Sequence, residues 1–393
     1  MPDYKIENLN QPTGTDLVDQ LLRRAADLRA SDIHLQPQQQ DCVRMRVNGL
    51  LYSEQTQMAL DLFSQYPAAI SRLKILAHLN IAERRMPQDG RIRYQIKGLS
   101  IDVRLSLVPV AGSERAVLRL IYQTGALTAL DQLGLPDQSL DTIRKHIALG
   151  QGLILVVGPT GSGKTTTLYS VLNGLNTQEK CILAVEDPIE RLIPGVGQVQ
   201  VHPEIGLGFS HVLRAFLRQD PEIIMVGEMR DTETAQIAVR ASLTGHMVLS
   251  TLHAPNSLSS ISRLRDMGLE SWLIGATINV IIAQRLVRIL CPKCIRIDDD
   301  GSRLAQHQGI IPADTQLMTS DGCDQCRMSG YSTRRGIFEV LPVSSQLKEG
   351  IAQKLPEQDL QQACGDYTQL VQTAIQLMKQ GEIDLKEFWR LPI

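Results

Sequence analysis

LILVVGPTGSGKTTTLYS, residues 153–170, passes from an apolar run rich in β-branched residues through a glycine-rich turn into a segment that reads as helix. Gly158, Gly161, Gly163, Lys164 and Thr165 satisfy the spacing G-x-x-x-x-G-K-[ST], with Pro159, Thr160, Ser162 and Thr166 completing the loop. Glycines let backbone N–H groups turn inward toward phosphate oxygens, where a Cβ would obstruct the turn or the approach. The helix amino terminus adds partial positive charge, Lys164 suits the β- and γ-phosphates, and the Thr165 hydroxyl suits Mg²⁺. The stretch predicts a nucleoside triphosphate site in mid-chain.

Downstream, apolar runs alternate with helical segments, the pattern of a largely parallel sheet covered on both faces. Two of those runs end in carboxylates. EIIMVGEMRD (222–231) delivers Glu228, a candidate for orienting the attacking water, and ILAVEDPIE (182–190) delivers Glu186 and Asp187, candidates for holding Mg²⁺ or its waters. GHMVLSTLHA (245–254) carries His246 and His253 at opposite ends of another strand, each readable as a γ-phosphate sensor or as a structural histidine.

The 393 residues suffice for two or three domains, and 43% apolar with 21% charged residues is an ordinary globular composition. A net charge of −2 and 4% aromatics speak against a nucleic-acid-binding protein. MPDYKIENLN at the start has neither a basic end nor an apolar run, so no secretory signal is expected. LIGATINVIIA (273–283) is too short to span a bilayer. Of seven cysteines, four form two CxxC pairs, Cys291 with Cys294 and Cys323 with Cys326. In a chain without export these read as a closed four-thiolate site for a structural Zn²⁺, with a dithiol redox pair as the alternative.

Before the nucleotide loop the sequence reads as a smaller α/β domain. TDLVDQLLRRAADLRA and AAISRLKILAHLN are helical, while DCVRMRVNGLL and RIRYQIKGLSIDVRLSLVPV alternate as strands. The expected organisation is a domain over 1–121, a linker over 122–136, a core over 137–290, the cysteine segment over 291–334 and a helical region over 335–393.

The loop, EDPIE, RQDPEIIMVGEMRD and TGHMVLSTLHAPNS, in that order, resemble the Walker A, Asp box, Walker B and His box of the secretion ATPase superfamily. SDIHLQP and RRMPQDGRI resemble its smaller PAS-like amino-terminal domain, and DVRLSLVPVAGSERAVLRL its arginine-bearing strands. The CxxC pairs followed by SGYSTRRGIFEVL resemble the branch that drives type II secretion and type IV pilus assembly. The resemblance implies a RecA-like P-loop core and a homo-hexamer that binds ATP, Mg²⁺ and Zn²⁺. Such a ring would stand peripherally at the cytoplasmic face of the inner membrane and drive pilin-like subunits through a polytopic platform protein. It implies Lys164 and Thr165 as nucleotide and Mg²⁺ ligands, Glu186 as support for the metal, Glu228 as the catalytic glutamate and His253 with His246 as the His-box pair. Arg91, Arg104 and Arg119 match the arginines that complete a neighbouring site, although alternating arginines also suit the wet face of a strand. The resemblance also implies that longer relatives carry a further amino-terminal docking domain, so docking through another surface, or a simpler machine, is expected. Retraction motors of the same superfamily, DNA-translocating ATPases and slow nucleotide switches are the alternatives.

Overall fold

The computed structural model describes residues 14–37, 42–96, 98–123 and 127–391, so MPDYKIENLN and part of the expected linker, 124–126, lie outside the described residues. The chain divides into two units, 1–125 and 126–393.

In the first unit the period-two alternation becomes an antiparallel sheet with one buried face. Its elements are α1 (Gly14–Asp27), β1 (Asp32–Leu35), β2 (Val43–Val47), β3 (Leu50–Ser53), α2 (Gln57–Ser64), α3 (Tyr66–Leu76), β4 (Gln88–Ile96), β5 (Leu99–Val110) and β6 (Ser113–Gln123), with strand order β3-β2-β1-β6-β5-β4. Val43, Met45, Ile92, Val103, Leu105 and Leu118 point inward and pack with Leu21, Leu62 and Leu73 of the helices. One ion pair is sealed in this core. Lys74 of α3, 1% exposed, lies 2.7 Å from Glu114 Oε1 and donates at 2.6 Å to the carbonyl of Glu83.

The second unit holds α4 (Asp137–Ala148), β7 (Gly152–Val157), α5 (Lys164–Leu175), β8 (Ile182–Glu186), β9 (Val196–Gln200), α6 (Phe209–Phe216), β10 (Ile223–Val226), α7 (Thr232–Leu243), β11 (Met247–Leu252), α8 (Ser257–Asp266), α9 (Ser271–Thr277) and β12 (Ile278–Leu290). It continues with β13 (Ile295–Ile297), α10 (Asp299–His307), β14 (Met318–Ser320), β15 (Tyr331–Pro342), α11 (Ser345–Ala352), α12 (Glu357–Gln362), α13 (Leu370–Lys379) and α14 (Leu385–Arg390). The main sheet runs β15-β12-β7-β11-β10-β8-β9, all parallel except β15. Every residue of β7, β10 and β11 is buried, because helices cover both faces of a parallel sheet. Parallel strands also bring the loops after β7, β8, β10 and β11 to one edge.

The region expected to be helical from residue 335 instead begins in the sheet, since β15 pairs antiparallel with β12. The exposed stretch Ser332–Arg335 hides the alternation that would betray an edge strand. The cysteine segment lies between these two paired strands. Among the described residues, no helix is long and apolar enough to cross a membrane.

Candidate active site

The loop after β7 is shaped by contacts a side chain would block. Gly163 caps α5 with φ 90°, and a Cβ there would stand 2.8 Å from Gln284 Nε2. A Cβ on Gly158 would stand 2.6 Å from the Gln284 carbonyl oxygen. Ser162 is buried with no hydrogen-bond partner for its hydroxyl among the described residues. Lys164 folds across the loop, and its Nζ donates to the carbonyls of Gly158 at 2.9 Å and Pro159 at 3.0 Å. Burial lowers the Lys164 pKa and the Arg285 charge lowers it further, with Glu228 opposing both. These features suit a phosphate: a glycine-rich turn, a helix amino terminus and a lysine whose ammonium group donates to two loop carbonyls.

Glu228 leaves the end of β10 toward this loop. The strand exit is pinned by Gly227 N–H donating to Val185 O at 2.8 Å, Thr251 Oγ1 to Gly227 O at 2.7 Å and Met229 N–H to Thr251 O at 3.0 Å. The Glu228 carboxylate pairs with Arg230 and lies 3.6 Å from His253 Nε2. Arg230 also donates at 3.2 Å to Asp187, so one guanidinium ties the loop after β8 to Glu228. Burial and then the Lys164 charge hold the His253 ring below the usual imidazole value, against the pull of Glu228. Both effects favour the neutral ring over the imidazolium.

Glu186 is buried at the end of β8. Its carboxylate accepts from the Tyr169 hydroxyl of α5 and, at 2.8 Å, from Gln198 Nε2 of β9, while burial raises its pKa. Gln198 also fixes the loop beyond the Asp box, donating to Arg191 O at 2.8 Å and accepting from Ile193 N at 2.7 Å. Tyr169, Gln198, Arg230 and Gln284 all escaped the reading of sequence. Arg230 was the most accessible of them, two residues after Glu228.

His246 does not join this group. It precedes β11, whose six residues put roughly 20 Å of extended chain between it and His253. Its Nδ1 lies 3.0 Å from the carbonyl of Ala241 at the end of α7. The two histidines thus stand at opposite ends of β11, where the sequence places them.

Arg91, Arg104 and Arg119 belong to the first unit. They stand directly opposite one another across β4, β5 and β6, and the row continues to Asp32 of β1 and Arg46 of β2. Arg119 Nε reaches Asp32 Oδ1 at 3.2 Å. The three arginines line a cavity of about 320 Å³ with Asp89, Gly90 and Ser106, so this open face can receive an anion.

In the cysteine segment the four sulfurs lie within 4.8 Å of one another. Cys291 is 3.9 Å from Cys323, and Cys326 is 3.7 Å from both Cys294 and Cys323. A tetrahedral centre with metal–sulfur bonds of about 2.3 Å separates its ligands by about 3.8 Å. Backbone N–H groups of Cys323 and Gly330 point at Cys326 Sγ, at 3.1 and 3.3 Å, as they would at a metal-bound thiolate. The cluster can hold a metal ion.

Residues 9–390 match the family model described as "Type II/IV secretion system protein". The chain is 42% identical over 382 residues to the putative type II secretion system protein E of Escherichia coli K12, covering 95% of this chain and 76% of that protein. It is 42% identical over 380 residues to the type II secretion system ATPase E of Vibrio cholerae, covering 95% and 74%. Among solved structures it resembles the pilus retraction motor PilT with bound ADP, at 26% identity and TM-score 0.64 over 95% of this chain and 96% of that one. The Legionella pneumophila ATPase DotB shares the fold, at 22% identity and TM-score 0.70 over 98% and 97% of the two chains. With that match over nearly the whole chain and 42% identity to both relatives, the chain belongs to the type II/IV secretion system protein family.

Proposed function

We propose that this protein is an ATP-hydrolysing motor that powers assembly of a type II secretion pseudopilus or a type IV pilus. The observation that carries the reading is the convergence of Lys164, Glu228 and His253 at the C-terminal edge of a parallel sheet in a chain of this family. A V. cholerae relative is named an ATPase, and the PilT structure holds ADP.

In this reading Lys164 exchanges the carbonyls of Gly158 and Pro159 for phosphate oxygens, and the loop from Gly158 to Thr166 encloses the nucleotide. Glu228 orients water for attack on the γ-phosphorus and takes its proton, giving ADP and phosphate. His253, neutral beside Glu228, senses the γ-phosphate. Thr165 and Glu186 would hold Mg²⁺, which neutralises phosphate charge; Tyr169 and Gln198 each take one lone pair of Glu186 and fix its direction. Arg91, Arg104 and Arg119 complete a neighbouring subunit's site in a homo-hexamer. Cys291, Cys294, Cys323 and Cys326 bind a structural Zn²⁺ that holds the segment between β12 and β15.

The motor acts from the cytoplasmic face of the inner membrane, attached through a polytopic platform protein and reaching pilin-like subunits indirectly, with no direct contact to nucleic acid. The four-cysteine cluster favours assembly over retraction or DNA translocation in this reading, because the CxxC pairs and the segment after them resemble the assembly branch. The test is phosphate release at increasing protein concentration. Specific activity should rise as subunits meet, and Glu228→Gln should abolish turnover while retaining nucleotide binding. An unchanged rate in that variant would overturn the assignment. Capture of the Glu228→Gln protein with ATP from detergent-solubilised membranes should recover the platform protein; recovery of relaxase or DNA-coupling components would move it to translocation.

A further inference from the structure

Behind the phosphate loop, β12 carries two adjacent buried polar residues, Gln284 and Arg285. Gln284 faces α5, where its Oε1 accepts from Thr167 Oγ1 at 2.6 Å. Arg285, 3% exposed, faces the other way. Its Nη1 donates to the Gln284 carbonyl at 2.9 Å and its Nη2 to the carbonyl of Pro255, two residues beyond His253. A Cβ built on Gly158 would stand 3.2 Å from Arg285 Nη1, so the guanidinium lies against the floor of the loop.

Glu339 of β15, 4% exposed, stands opposite Ala283 in the ladder and therefore on the same sheet face as Arg285. Its charge acts on Arg285 and partly offsets the burial that lowers that residue's pKa. Its Oε1 accepts the Ser257 N–H at 3.0 Å and its Oε2 the Leu370 N–H at 3.1 Å, the first residues of α8 and α13. A carboxylate at two helix amino termini complements both dipoles. The segment leaving the His box is thus gripped twice, at Pro255 by the cation and at Ser257 by the anion.

We infer that Arg285 and Glu339 are a positioning pair that fixes the exit of the His box against the phosphate loop, sets the place of His253 and ties it to α13. Burying two charges is costly, and a core could be filled more cheaply with apolar residues. What apolar residues cannot do is hold a named carbonyl and two named N–H groups in fixed directions. Arg285→Lys keeps the charge but loses the fork that spans two carbonyls. The inference rests on the proposal that this site hydrolyses ATP with His253 beside the γ-phosphate.

The test is a double-mutant cycle on the full chain, read as kcat and KM for phosphate release, with affinity for a fluorescent N-methylanthraniloyl-ADP measured in parallel. Arg285→Lys should lower kcat about 10- to 100-fold through misplacement alone, with little change in KM or analogue affinity. In a His253→Ala background the same substitution should do nothing further, because the group it positions is gone. Full additivity of the two substitutions, or an unchanged kcat in Arg285→Lys, would overturn the inference. If Arg285→Lys does not fold, Glu339→Gln takes its place in the cycle, and additivity or an unchanged kcat there overturns the inference in the same way. A wild-type chain without turnover, or His253→Ala without effect, strikes at the functional reading instead.

Discussion

The two units bury their sheets in opposite ways, and each locates its chemistry accordingly. The nucleotide unit buries β7, β10 and β11 on both faces, so functional groups emerge only where those strands end. The first unit leaves one face of its antiparallel sheet open, and there charged groups lie in rows along the strands: Arg91, Arg104, Arg119, Asp32 and Arg46 across five of them. A closed sheet concentrates chemistry at an edge, whereas an open sheet spreads it over a surface. Side chains at an edge are fixed by neighbouring loops, as Glu228 is through Thr251 and Met229. Those on a surface are fixed mainly by cross-strand partners.

The sharpest break of this comparison is at the edge itself. Glu228→Gln should lower kcat by about 10²- to 10⁴-fold with nucleotide affinity retained, measured by phosphate release and equilibrium binding. Next comes the buried pair of the first unit. Lys74→Met strands Glu114 in the core and should cost about 3–5 kcal/mol in denaturant unfolding. Restoring balance with Lys74→Met and Glu114→Gln together should recover much of that loss, and failure to do so would mean the pair is not the cause.

Neighbours on β5 then separate the two faces of one sheet. Leu105→Ala, on the buried face, should cost about 2–5 kcal/mol. Arg104→Ala, one residue away on the open face, should change stability by less than about 0.5 kcal/mol yet slow turnover. Equal destabilisation by both would remove the distinction between a packing face and a working face. The smallest effect concerns pH. The folded His253 ring has a lowered pKa, so it takes up its proton at lower pH than a free imidazole, whose value is about 6.5. Turnover should hold steady there and fall only at more acid pH, and an inflection at or above the ordinary value would count against a neutral His253. Stability follows the same sign: the unfolded ring takes its proton first, so this group's contribution is present above that value and lost below it.

Sequence exposed the groups that sit inside recognisable local patterns. Glycine spacing found the phosphate loop, apolar runs ending in carboxylates found Glu186 and Glu228, and paired cysteines found a cluster whose sulfurs do converge. It failed where partners are distant along the chain. Glu186 is bonded from Tyr169 and Gln198, Arg285 reaches Pro255, and Glu339 reaches both Ser257 and Leu370. Lys74 and Glu114, 40 residues apart in the chain, meet only because α3 packs near β6. β15 was hidden for a related reason, since an exposed edge loses the alternation that marks a strand.

By itself the sequence determined where the glycine-rich loop, the strand-end carboxylates and the paired cysteines stand, because backbone turns, strand periodicity and cysteine spacing are dictated by residues near one another. Only the tertiary structure decided which groups share a site. It brought His253 to Glu228, and it laid three arginines side by side on an open face. The physical reason is that local sterics fix the direction of each segment, while the meeting of segments depends on how their apolar faces are buried together.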